Sequence, residues 1–122
     1  MFWKKNKNYA CFDDVDVRNI RRYTTETIQP IVDFYADWYA EKGVTLPRGF
    51  EQDPSGWTEV LRKIQRAFIL ASNEDMPDGE VYKAVASGKL NEVEKLEGEI
   101  QEGFELFGKY LNSLVDNNYR EK

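Results

Sequence analysis

Asn91-Glu92-Val93-Glu94-Lys95-Leu96-Glu97-Gly98-Glu99-Ile100-Gln101-Glu102-Gly103-Phe104-Glu105-Leu106-Phe107-Gly108-Lys109-Tyr110-Leu111-Asn112-Ser113-Leu114 carries the strongest periodic signal in the chain. Val93, Leu96, Ile100, Phe104, Phe107, Leu111 and Leu114 recur in steps of three or four, which places them on one face of an α-helix. Asn91 with Glu94 three residues on has the capping-box spacing and predicts the helix start. The pattern fades into the polar tail Asn117–Lys122. Gly98, Gly103 and Gly108 each cost about 1 kcal/mol against Ala in a helix. Close approach of another helix is the expected compensation, above all at Gly108 beside the stripe.

Working back from this helix, Asp53-Pro54 reads as an N-cap followed by Pro at N1. The helix it opens should bury Trp57, Val60/Leu61, Ile64, Ala67/Phe68 and Ala71, with Arg62, Arg66 and Ile69 pointing away. Asn73 to Gly79 is polar, holds Pro77 and Gly79, and reads as a loop. Asp78 would cap a short helix through Val81, Tyr82 and Val85 that Gly88 ends. Nearer the N-terminus, Asp13 as N-cap puts Phe12 and Val17 at the spacing of a hydrophobic staple. The stripe that follows is Val17, Ile20, Thr24, Thr27/Ile28, Ile31, Phe34/Tyr35 and Trp38, with Arg18, Arg22, Glu26, Asp33 and Asp37 opposite. Gly43 is a suitable stop. Pro30 lacks the amide hydrogen the helix needs there, so the first helix should be kinked or split. The fold class expected is all-α: a compact bundle of three long helices plus one short helix, with no strand alternation. Residues 1–11 form a basic, aromatic arm, 12–116 the helical domain and 117–122 a polar tail.

Composition removes much familiar chemistry. The 122-residue chain has no histidine and one cysteine, Cys11. Without histidine there is no Ser–His or Cys–His nucleophile pair and no usual zinc ligand. A lone cysteine forms no intramolecular disulfide and fits a reducing compartment. No apolar run approaches a membrane span of roughly 18 residues. Met1-Phe2-Trp3-Lys4-Lys5-Asn6-Lys7 is basic and aromatic but lacks the apolar segment of a secretory signal. A cytoplasmic protein is the default. The net charge of −5, from 22 acidic and 17 basic residues, disfavours non-specific nucleic-acid binding. Seventeen aromatic residues (seven Phe, seven Tyr and three Trp) point to a core of large flat side chains.

Three constellations remain. Glu94, Glu97, Glu99, Glu102 and Glu105 crowd about three helical turns. Glu-x-x-Glu pairs of this kind occur in all-α metal-dependent nucleotide pyrophosphohydrolases, where carboxylate oxygens hold hard cations. Such a site needs facing acids, for which Asp33 and Asp37 are the available pair. The plainer reading is a solvated face supported by Lys95 and Lys109. Arg18, Arg21 and Arg22 with Arg62, Lys63 and Arg66 would form one phosphate-binding patch if their helices are neighbours; the plainer reading is again a solvated face balanced by nearby acids. Last, apolar residues lie outside the main stripes: Tyr39, roughly 80° from its stripe's centre at 100° per residue, and Ile69 and Leu106, far off theirs. Such residues are either ordinary exposed side chains or the mark of a second buried face where another subunit or partner docks. The candidate partner-binding set is therefore Tyr39, Ile69 and Leu106 with Arg62 and Arg66. No catalytic set, metal ligand or cofactor is assigned.

Phe12-Asp13-Asp14-Val15-Asp16-Val17-Arg18-Asn19-Ile20, followed by Ile28-Gln29-Pro30 and Phe34, resembles the aromatic-acidic lead-in and Ile/Leu-x-Pro step of a group of small proteins encoded by tailed bacteriophages. Glu102-Gly103-Phe104-Glu105-Leu106-Phe107-Gly108-Lys109-Tyr110, continuing through Leu114 to Asp116, is similar to that group's closing signature, with Val115 where a Trp is common. Trp57, Leu61 and Phe68 match its middle helix, and Glu74 to Leu90 departs from it. The resemblance implies a phage origin and a helical fold, and it carries over no activity or site residue. The expected function is a non-enzymatic, phage-encoded accessory protein in the host cytoplasm. It would act on a protein partner or on itself as a homo-oligomer. A minor virion component and a pyrophosphohydrolase-like enzyme are the alternatives.

Overall fold

Asp53 and Pro54 open the central helix as their types dictate. The Asp53 carboxylate accepts the Gly56 backbone N–H at 3.1 Å, and Pro54 fills the first helical position, where no amide hydrogen is needed. In the computed structural model, which describes residues 19–42 and 46–114, four α-helices follow one another: α1 (Ile20–Lys42), α2 (Pro54–Ser72), α3 (Glu80–Ala86) and α4 (Leu90–Tyr110), then a 3₁₀ turn over Leu111–Ser113. No strand occurs among the described residues. The residues expected to form the arm, the Asp13 cap with its Phe12–Val17 staple, the Gly43 stop and the C-terminal tail all lie outside the described residues.

α2 is the middle of the structure. It packs against both α1 and α4, and α3 packs on α4. Its stripe is buried as the spacing requires, at Trp57, Leu61, Ile64, Ala67, Phe68 and Ala71, and Leu70 is buried as well. One core cluster joins Leu70 and Ala71 to Val81, Ala84, Leu96 and Ile100, with Val93 and Phe104 against it. The other joins Ala36, Tyr39, Trp57 and Leu61, with Tyr35, Trp38, Phe50 and Tyr110 around them. The aromatic residues form its interior. Trp57 meets Tyr39, Phe50 and Tyr110 at ring-centroid distances of 6.4, 5.3 and 5.5 Å, and Phe68 meets Phe104 and Phe107 at 5.1 and 5.0 Å. Tilted and edge-on pairs of this kind add about 0.5–1.5 kcal/mol each beyond area burial.

Several local details differ from the sequence reading. α1 is capped at Asn19, whose side-chain oxygen accepts the Arg22 N–H at 2.9 Å. It is one continuous helix through Pro30, so the expected split does not occur. α3 begins after Gly79, with no side-chain cap; Asp78 does not provide one. Its end at Gly88 is as expected. The Gly88 N–H bonds to Val85 O and the Lys89 N–H to Ala84 O, and Gly88 takes φ +67°, the paired bonds and left-handed glycine of a Schellman stop. α4 starts at Leu90 after Lys89, without a side-chain cap, so Asn91 and Glu94 form no capping box. Of its three glycines, Gly103 is the point of close approach. A Cβ there would overlap the Ala67 side chain and lie 2.6 Å from Lys63 O, whereas Gly98 and Gly108 have open space. The expectation for Gly108 is thus corrected to Gly103, because α2 crosses α4 opposite Ala67.

Candidate interaction face

The rotation of α1 about its own axis determines which side chains reach solvent. The expected stripe had Ile20, Ile31 and Phe34 facing inward. The helix instead turns Thr25, Ala36 and Tyr39 toward the core and leaves Ile20 69%, Ile31 66% and Phe34 73% exposed. The two faces are centred about 140° apart at 100° per residue. Tyr39, expected on a docking surface, is 3% exposed and packs against Trp57. This corrects its assignment, since a side chain inside the core offers nothing to a partner.

Of the other four candidates, Arg62, Arg66 and Ile69 lie on α2 and Leu106 on α4. Ile69 and Leu106 are half-buried. Arg62 donates to Asp37 Oδ1 at 2.6 Å and to Gln65 Oε1 at 2.6 Å. Arg66 forms a two-pronged pair with Glu80 at 2.5 and 2.9 Å and reaches Glu99 at 3.3 Å. The hydrogen bonds from Arg62 and Gln65, with the positive charge of Arg62, hold the Asp37 carboxyl below its ordinary range. The Arg66 hydrogen bonds, opposed by desolvation and aided by its charge, do the same to Glu80. Both arginines therefore link helices: Arg62 ties α2 to α1, and Arg66 ties α2 to α3 and α4.

The basic set does not merge into a phosphate-binding patch. Arg21 pairs with Glu74, Arg22 with Glu26, and Lys63 with Glu59 and Glu102. Arg18 lies outside the described residues. The acidic set does not assemble either. Asp33 accepts from Gln65 and Asp37 from Arg62 at the α1–α2 seam, while Glu99 and Glu102 turn to Arg66 and Lys63. Among the described residues no three His, Cys, Asp or Glu side chains converge on a point a cation could occupy. Among the described residues Asp33 and Asp37 form no such group with the α4 glutamates. No helix among the described residues is long and apolar enough to cross a membrane.

What the fold does create is an apolar groove. α1 and α4 pack mainly on α2 rather than on each other, so a channel of about 270 Å³ remains between them. Its floor is Leu61 and Ile64 of α2. One wall is Ile28, Ile31, Val32, Tyr35 and Ala36 of α1; the other is Phe107, Leu111 and Leu114 at the end of α4. Ile31 and Leu111, the latter 53% exposed, stand on its rims. Phe34 is exposed one turn beyond Ile31, and Ile20 is exposed further along α1, past Thr27 and Thr24. A second hollow is lined by Arg21, Glu74, Glu97, Ile100, Gln101 and Phe104; Arg21 pairs with Glu74, and its guanidinium lies 5.9 Å from the Phe104 ring centroid.

No protein-family model matches this chain, and no curated protein or solved structure shows significant similarity to it.

Proposed function

We propose that the chain is a non-enzymatic interaction protein that docks an apolar helical segment of a protein partner on the outward face of α1 and the groove beside it. The observation that carries this reading is the exposure of Ile31, Phe34 and Leu111 at and beside an apolar channel, with Ile20 exposed further along α1. Large apolar side chains left out of the core at helical spacing are the surface that helix-in-groove recognition uses. Burying a fully exposed side chain of this size contributes about 1.5–3 kcal/mol. Ile31, Phe34 and Leu111 are already partly covered, so together they supply several kcal/mol before association costs. That suits a reversible complex. A phage-encoded accessory role in the host cytoplasm, with a minor virion component as the alternative, follows from the resemblance of the lead-in and closing segments. A bend of α1 at Pro30, midway along this face, belongs to the same proposal.

The test is capture of a defined partner from infected cells by the tagged 122-residue chain and by Phe34→Asp. Loss of the partner with Phe34→Asp, at unchanged helicity and melting midpoint, is the expected result. Equal capture by both proteins would place recognition elsewhere. Mass spectrometry of banded particles separates the accessory reading from the virion one.

A further inference from the structure

The exposed face of α1 has an internal order that speaks to its occupant. Ile20, Thr24, Thr27, Ile31, Phe34 and Trp38 follow one another at steps of 4, 3, 4, 3 and 4 residues, the 3.5-residue spacing of a coiled-coil seam. Ile20, Thr27, Ile31 and Phe34 are exposed, and Thr24 and Trp38 are half-buried. The N-terminal half of the seam is slim and the C-terminal half bulky. Turned end for end about a point level with Gln29, the seam falls on itself: Ile20 meets Trp38, Thr24 meets Phe34 and Thr27 meets Ile31. Every seam position then has a seam partner, and small faces large. A parallel pairing would set Phe34 against Phe34 and leave gaps at the threonines.

We infer that α1 pairs with α1 of a second copy of this chain, antiparallel about a two-fold axis level with Gln29; the inference rests on the docking face proposed above. The closure is that of an isologous dimer, in which one patch is complementary to itself. The seam is about 27 Å long and a helix about 10 Å across. A strip of that size covers about 270 Å² of each protomer, and with the groove rim at Leu111 the total stays below the roughly 1,000 Å² of specific interfaces, in the range of weak, transient contacts. The dimer is accordingly weak and reversible, populated in the micromolar range and above.

Sedimentation equilibrium of the full chain over a broad micromolar range tests it. The expected result is a concentration-dependent monomer–dimer equilibrium that Phe34→Asp and, separately, Ile20→Asp weaken more than tenfold, with the melting midpoint held as a control on folding. Register is read from disulfide trapping in the Cys11→Ser chain. Thr24→Cys and Phe34→Cys should cross-link to each other when mixed and not each to itself, because the two positions lie about 15 Å apart on one helix, beyond disulfide reach. Like-with-like cross-links would overturn the antiparallel register. A strict monomer would overturn the pairing. A strict monomer whose capture of another protein is lost in Phe34→Asp removes the second copy and keeps the docking face. A monomer with no dependence on Phe34 removes both.

Discussion

Gly103 provides a sharp test of the packing because two opposing terms meet there. Replacing a helical glycine by alanine ordinarily stabilises a helix by about 1 kcal/mol, through loss of unfolded-state freedom. At Gly98 and Gly108 nothing lies within 4 Å of the new Cβ, so that gain should appear undiminished. At Gly103 the same methyl would overlap the Ala67 Cβ and stand 2.6 Å from the Lys63 carbonyl oxygen. Neither obstacle is the end of a flexible side chain, so α4 and α2 must move apart. Overpacking of this kind costs about 1–3 kcal/mol, and hard contacts on both sides place this case in the upper half. The net for Gly103→Ala is therefore a loss of about 1–2 kcal/mol. The two classes of variant should differ in sign and be separated by about 2–3 kcal/mol. At about 4 °C per kcal/mol for a chain of this size, Gly98→Ala should melt a few degrees above the parent and Gly103→Ala several degrees below it. Thermal and urea unfolding followed by circular dichroism measures both, and unchanged urea m-values keep the comparison within one two-state scheme. Stabilisation by Gly103→Ala equal to that by Gly98→Ala would refute the close α2–α4 crossing.

Other outcomes follow from single contacts. Trp57 is fully buried among three aromatic rings, so Trp57→Ala should lose about 3–5 kcal/mol, read from the urea midpoint. Asp53→Ala removes the acceptor for Gly56 N–H and should cost about 1 kcal/mol, most of it recovered by Asp53→Asn. The Glu80 carboxyl is held below its ordinary 4.5 chiefly by the Arg66 hydrogen bonds. A depressed folded-state pKa contributes stability above the unfolded value and loses it as pH falls through the folded one. The stability gap between the parent and Arg66→Gln should thus be constant above pH 4.5 and shrink below it, and as both groups are about half exposed the gap stays under about 1 kcal/mol. A pH series of urea midpoints decides this; a gap that widens in acid would contradict the pairing.

The candidate site was less legible than the helices that bear it. Arg62 and Arg66 were recognisable as lying off the apolar stripe, but their partners Asp37, Glu80 and Glu99 are 25, 14 and 33 residues away. Only the register of α2 against its neighbours brings them together. Tyr39 was assigned to the surface for a related reason. α1 carries apolar side chains over two adjoining arcs, and hydrophobic spacing alone favours the arc with the larger residues. The signal that pointed to the other was Ala36, a small residue four positions from Val32 and three from Tyr39, where a neighbouring backbone can come close.

By itself the sequence determined what depends on neighbours along the chain: the absence of histidine chemistry, the Asp53-Pro54 start of α2, the Gly88 stop, and the stripes of α2 and α4 that demand burial. Those signals lie within one or two helical turns, where 3.6-residue periodicity and capping geometry act. The tertiary structure alone decided which arc of α1 is buried, which glycine is crossed, and that α1 and α4 stand apart over an apolar groove. Each of these depends on contacts between residues distant in sequence, where close packing selects the face that lets two backbones approach and leaves Ile20, Ile31 and Phe34 facing solvent.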